Sequence, residues 1–364
     1  MGVTLPAAIV TPAIAAALGG DGRALTAQAL THNVGNQATG GIWRVVGPAG
    51  SAVAKVATAG RDGDAAWATS ERPDHWNFWR RESLAYQTGF AHTVYADAGL
   101  GAPRLLAVAR PRPGTVALWL EDVAGVPGMR WPVARLADFA ARLGQAQAGW
   151  AGRDLARPWL SRRWLPQYVA SKPVAEPVAW DHPRVLAVWP AELRAGLREL
   201  WRRRAELLAL AESLPPTTCH LDVWPMNLIA RTGSGAEIVL LDWAFAGAGA
   251  IGEDIGNLIP DSVADGLMDP GLLPEIDEAV TAGYLAGLRA GGWHGRDAAV
   301  RHAIAVTGAA KYCWLAPRML GRLGGDGGPG WYDRRGVEQV LAGRLGMLTL
   351  VAAWGRRALA DRDG

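Results

Sequence analysis

A two-lobed α+β fold is predicted by three observations on the sequence. β-rich runs separated by turn residues fill the first third, amphipathic helical patterns dominate beyond Gly125, and 364 residues, half of them apolar, suffice for a large core. The expected division is a small N-terminal lobe (1–124), an antiparallel sheet with one helix, and a larger, mainly helical C-terminal lobe (125–364).

Residues 41–46 (Gly-Ile-Trp-Arg-Val-Val) and 52–57 (Ala-Val-Ala-Lys-Val-Ala) read as strands. The intervening Gly47-Pro48-Ala49-Gly50 makes them a hairpin. Between 76 and 86 the pattern turns helical, since Phe78, Glu82 and Tyr86 share one face. Strands follow at 104–109 and 115–121, on either side of the breaker-rich 110–114. Pro132 suits the first turn of a helix whose apolar stripe is Leu136, Phe139, Ala140, Leu143 and Trp150. A second amphipathic helix begins near Pro190 and buries Leu193, Leu197, Leu200, Trp201 and Leu208, leaving Arg202, Arg203 and Arg204 on a solvated face. Residues 216–242 break the helical pattern, with short β-like runs at 228–231 and 237–241 joined by a flexible turn. Helices near 271–290, 296–320 and 336–361 complete the chain, and the glycine-rich 321–330 is expected to be a mobile loop.

Lys and Arg exceed Asp and Glu by 37 to 34, so the net charge of +3 implies no nucleic-acid partner. Two cysteines, Cys219 and Cys313, are too few for a disulfide framework, which suits a reducing cytoplasm. The stretch 5–18 is apolar enough to resemble a signal peptide, yet no Lys or Arg precedes it and Pro6 and Pro12 interrupt it. It is read as a short surface helix. No other segment approaches the length of a membrane span, so no membrane partner is expected. Tryptophan is abundant, at 18 copies, and is assigned mainly to core and lobe packing.

The chemistry is concentrated in Cys219-His220-Leu221-Asp222-Val223-Trp224-Pro225-Met226-Asn227 and, further on, Leu240-Leu241-Asp242-Trp243. Phosphoryl transfer needs a carboxylate to orient and deprotonate a hydroxyl, and oxygen ligands to hold magnesium on the phosphates. Asp222 is the candidate base, and Asn227 and Asp242 are the candidate metal ligands. A tight loop from Asp222 to Asn227, followed by a short hairpin, returns Asp242 beside Asn227. Asp242 also ends an apolar strand, where a carboxylate has no packing purpose.

His220, Asp222 and Asn227 in the order His-x-Asp-x-x-x-x-Asn, then Asp242-Trp243 and Asp254-Ile255-Gly256, resemble the aminoglycoside phosphotransferase family within the protein-kinase-like fold group. The resemblance covers roughly residues 30–265. It implies ATP and Mg2+ as cofactors and a small-molecule hydroxyl acceptor: an aminoglycoside or other antibiotic, a sugar, or an amino alcohol. It implies that Asp254 braces the catalytic loop and that His220 is a scaffold residue. Lys55, on the hairpin's second strand, shares a face with Val53 and Ala57, and Glu82 is placed to pair with it. Gly40 and Gly41 resemble the nucleotide-covering turn. Glu121 and Val123, ending the last strand of the first lobe, fall where backbone groups of this fold hold adenine. Leu221, Trp224 and Met226 depart from the glycine, histidine and glycine often found in the family's loop.

A protein kinase is disfavoured, because the span from Asp242 to Asp254 is too short for an activation loop and no Asp-Phe-Gly or Ala-Pro-Glu occurs. A non-catalytic nucleotide binder is the reading from another class, and it leaves Asp222 without a purpose. The acidic residues Glu275, Asp277 and Glu278, and also Asp261 and Asp265, are candidates either for attracting a cationic acceptor or for solvated helix faces. Oligomeric state is not legible.

Overall fold

The structure, a computed structural model, describes residues 5–20, 24–60, 65–153, 156–233, 237–323 and 335–360. Most of the expected loop 321–330 therefore lies outside the described residues. The architecture is α+β: an antiparallel sheet near the N-terminus and a larger body of helices.

The strands are β1 (Thr26–Ala29), β2 (Thr39–Gly47), β3 (Gly50–Thr58), β4 (Leu100–Gly101), β5 (Leu105–Ala109), β6 (Thr115–Glu121), β7 (Gly125–Pro127), β8 (Pro216–Cys219), β9 (Leu228–Arg231), β10 (Ile238–Leu240) and β11 (Gly247–Ala250). The first sheet runs in the order β1-β2-β3-β6-β5. β2 and β3 form the expected hairpin, in which Gly47 pairs with Gly50. β1 carries no sequence signal because all four of its residues are exposed and show no apolar alternation.

Period-two alternation gives the sheet two different faces. On one, Ala54 lies opposite Trp43 of β2 and Trp119 of β6, its small side chain leaving room for two buried indoles. The chain's opening segment packs over this face. It forms a 3-10 turn, Ala7–Ile9, and a helix, Pro12–Ala17, capped by the Thr11 hydroxyl. Ile9, Ile14 and Leu18 are buried with Trp43, Val45 and Trp119, and the Trp119 indole donates to the Ile9 carbonyl at 2.9 Å. The expected short surface helix is thus the cover of a small separate core. On the opposite face, Val53, Lys55 and Ala57 look into a cleft.

The helix expected over 76–86 spans only Arg81–Gln87. Side chains claim the backbone before it. The Asn77 amide donates to Asn36 and to the carbonyls of Trp67 and Ala68. The Arg81 guanidinium, fully buried, takes the carbonyls of Pro73, His75, Trp76, Trp159 and Ala244. Carbonyls so engaged are lost to an earlier helical turn.

In the helical body, the Val133–Trp150 and Leu273–Ala290 helices pack along their length. Gly144 and Gly287 permit the approach, since a Cβ on either would overlap a carbonyl of the other helix. A second sheet, β4-β10-β9-β7, and the β8–β11 pair sit beneath the cleft and carry the loops described below.

If the opening helix covers the sheet as described, Ile14→Ala lowers stability by about 2–4 kcal/mol, the usual penalty for truncating a fully buried aliphatic side chain. Urea unfolding measures this, and a change below about 0.5 kcal/mol, the size of an ordinary surface substitution, contradicts the packing.

Candidate active site

Two cavities meet at the cleft. One, about 270 Å³, is lined by Val53, Leu120, Glu121, Met226 and Leu241 among others. The other, about 280 Å³, is lined by Tyr168, Trp224, Phe245 and Trp314 among others. Lys55, Glu82, Asp222 and Asp242 line both.

The Lys55 ammonium is the junction. It lies 2.6 Å from Glu82 Oε2 and 2.8 Å from Asp242 Oδ1, joining β3, the Arg81–Gln87 helix and the end of β10. Burial alone would lower the Lys55 pKa, but the two carboxylates hold it above the ordinary value. Burial raises Glu82 despite Lys55, while Asp242, for which burial acts the same way, is held low by Lys55.

Asp222 and Asn227 form a second unit. The Asn227 amide nitrogen donates to the Asp222 carbonyl and to Asp222 Oδ2, both at 2.9 Å, which leaves the Asn227 amide oxygen for another partner. Burial, followed by repulsion from Asp242, pushes the Asp222 carboxyl up to about 7. Two carboxylates and an amide oxygen therefore face one space.

Magnesium takes one or two protein carboxylates and completes its octahedron with phosphates and water. The amide oxygen of Asn227 and the Asp242 oxygen not engaged by Lys55 fit that donor set. Among the described residues no three His, Cys, Asp or Glu side chains gather into a metal-holding group.

The loop's geometry is held from behind. Leu221 has φ +67° and Asp242 φ +58°, left-handed values that cost a side-chain-bearing residue about 1–3 kcal/mol each. Glycine, often present in the family at the position of Leu221, adopts this conformation freely. Here Asp254, fully buried, fixes it: its two oxygens accept from the amides of His220 at 2.9 Å and Leu221 at 2.7 Å. His220 Nε2 contacts the Leu241 carbonyl at 2.9 Å, and the Leu241 amide donates to the Asn227 carbonyl at 2.9 Å. Burial lowers the His220 pKa to about 4, so the ring is neutral and donates from Nε2.

The remaining expected positions divide. Glu121 lines the smaller cavity, but its carboxylate turns to Arg231 and Arg104; Val123 is not in either lining. Gly40 and Gly41 sit at a register shift in β2, where Gly41 takes φ +135° beneath the Trp43 ring, and their neighbours Thr39 and Ile42 reach the cavity. Glu275 and Glu278 are exposed and Asp277 half-buried, all away from the cavities, whereas Asp261 and Asp265 line the larger one. Cys219 and Cys313 are free and buried.

The profile of the phosphotransferase enzyme family (APH) matches residues 43–298. The chain belongs to this family. A choline/ethanolamine kinase family protein from Mesorhizobium loti shares the fold of this phosphotransferase, with TM-score 0.53 and 17% identity over 97% of this chain and 96% of that one. An amicoumacin kinase bound to AMP-PNP and Ca2+ is similar at TM-score 0.47 and 11% identity, covering 89% and 88%. The aminoglycoside phosphotransferase APH(4)-Ia has TM-score 0.47 and 11% identity, covering 93% and 95%. No curated protein sequence matches the chain significantly.

Sequence reasoning missed three supports of the site. Gln147 donates to Asp254 Oδ2 at 2.8 Å and accepts from the Tyr284 hydroxyl at 2.6 Å, linking the two packed helices to the loop. The Asn257 amide holds the Val223 carbonyl. Arg81 ties the Glu82 helix to Ala244, just beyond Asp242. Asn257, three residues beyond Asp254 on the same helix, and Arg81, next to Glu82, stood beside residues that had drawn notice, whereas Gln147 did not.

Stripping the loop of its brace, Asp254→Ala lowers stability by about 3 kcal/mol, the order of hydrogen bonds made by a charged group, and hydrogen exchange at His220 and Leu221 accelerates. Separately, nitrogen NMR finds the His220 ring in the Nε2–H tautomer with a titration midpoint near 4. A midpoint near 6.5, the value of a free histidine, would refute that burial.

Proposed function

We propose that this phosphotransferase moves the γ-phosphate of ATP onto a hydroxyl of a small molecule, with Asp222 as base and Asn227 and Asp242 as the magnesium ligands. The observation that carries the reading is the Lys55 ammonium held between Glu82 and Asp242 on the wall shared by two cavities, with Asp222 on the same wall and Asn227 bonded to it. A lysine fixed this way presents a positive charge to the α- and β-phosphates without having to reorganise.

In this reading the nucleotide occupies the cavity beneath β3 and β6, its base against Val53, Leu120 and Met226, and the acceptor enters the aromatic cavity beside Tyr168 and Trp314. Gly40 and Gly41 let the β2 edge cover the nucleotide, and the segment through Glu121 and Val123 supplies backbone groups to the base. Asn227 holds one Asp222 oxygen, so the other is directed to the incoming hydroxyl, and a carboxyl raised to about 7 accepts that proton near neutral pH. Magnesium, when bound, neutralises charge on the phosphates. His220 and Asp254 position the loop without touching substrate. The N-terminal lobe (1–124) is the nucleotide lobe and 125–364 the acceptor lobe. No helix among the described residues is long and apolar enough to cross a membrane.

Two variants separate the roles. Asp222→Ala lowers kcat by about 10²–10⁴-fold, the contribution of a positioned base, and leaves ATP affinity nearly unchanged in calorimetry. Asp242→Ala loses magnesium-dependent nucleotide binding, and wild-type turnover of that variant at saturating magnesium overturns the assignment.

A further inference from the structure

The acceptor cavity contains two carboxylates outside the transfer centre, Asp261 and Asp265, and both are already matched. Lys311 Nζ lies 3.8 Å from Asp261 Oδ2, and Arg344 Nη2 lies 2.6 Å from Asp265 Oδ1. All four residues line the cavity, so their charges cancel within it. Lys311 is almost fully buried, and its ammonium lies 5.2 Å from the Trp164 ring and 5.5 Å from that of Tyr312. An amine entering to pair with Asp261 would have to compete with a cation already in place.

A second way to hold a cation is an aromatic cage. Trp67, Tyr168 and Trp314 line the cavity, but a cation from the chain itself serves them. Lys172, buried and outside the lining, places its ammonium 3.7 Å from the Trp67 ring centre, 3.8 Å from that of Tyr168 and 4.9 Å from that of Trp76. A second ammonium against the same rings would meet a like charge in a setting that screens it poorly. The cavity keeps apolar ring surface, notably Trp224 beside Asp222 and Phe245, together with the neutral hydrogen-bonding groups of Asn33 and Asn36.

We propose that the acceptor is an uncharged alcohol with a flat, apolar body, which this enzyme selects over amine-bearing acceptors by filling both of its cation sites with its own lysines. The proposal rests on the phosphotransfer reading above and names its substrate class. Lys172 and Lys311 are then specificity-determining residues: each excludes a cation that the same aromatic and acidic groups would otherwise attract.

The test uses the full chain with AMP-PNP and magnesium, and three size-matched sets of probes: neutral aryl alcohols and aryl glycosides, their aminated counterparts, and zwitterionic hydroxy amino acids. Binding is read by saturation-transfer NMR, and phosphate transfer from ATP by mass. The expected result is that the neutral set binds at least about tenfold more tightly, the scale of one cation–π contact. Lys172→Met and Lys311→Met, each keeping most of the aliphatic stem, then raise binding of the aminated set severalfold. Two variants are used so that loss of folding in one leaves the other to decide. Tighter or equal binding of the aminated or zwitterionic set, no binding by any set, or no gain for amines in a folded variant overturns the proposal. If the neutral set binds as expected but no member acquires phosphate, the charge selection stands and the phosphotransfer reading fails.

Discussion

The site depends on one residue's backbone. Leu241 donates its amide to the Asn227 carbonyl and offers its carbonyl to His220, so it grips both ends of the segment 220–227 while its successor is Asp242. Two hydrogen bonds thereby fix the distance between the loop and the strand end that follows it. The Asp222–Asn227 pair and Asp242 cannot drift apart without straining both bonds. The β9–β10 hairpin, with Leu228 opposite Leu240, sets the register that makes this grip possible.

Around that grip the protein places unfavourable things and holds them. Two non-glycine residues sit at positive φ, two carboxylates share one space, and a neutral histidine is sealed from solvent. Each is unfavourable alone, and each is offset by a specific partner: Asp254 for Leu221, Lys55 for Asp242, the Leu241 carbonyl for His220. Strain gathered at a functional centre and stabilised from surrounding elements is the pattern expected of a preorganised site.

Much of this was legible in the sequence because spacing along the chain translates directly into geometry over short spans. The hairpin at 41–57, the loop from His220 to Asn227 and the return to Asp242 are local, and their alternation and turn residues specify them. Periodicity placed Lys55 on one strand face and Glu82 on one helix face, and it was the resemblance of the later motifs to the kinase-like family that paired them. What escaped was polar and long-range. Gln147 lies in the last turn of its helix, on the line of the apolar stripe, and its spacing gives no sign of a partner; the packing of two helices along their glycines brings it to Asp254. The span 76–80 has helical periodicity, but contacts with Asn36 and with distant carbonyls override it. The tryptophans likewise sort into core, as Trp43 and Trp119, and cavity wall, as Trp67 and Trp314, a division that composition alone does not make.

The buried guanidinium of Arg81 has a mechanical meaning. By gripping the carbonyls of Pro73, His75, Trp76, Trp159 and Ala244, it rivets the Glu82 helix to the segments around it. In enzymes governed by an on–off switch, the equivalent element swings in and out to make or break the lysine contact. A riveted element offers no such lever, so the contact between Lys55 and Glu82 is built into the fold rather than switched.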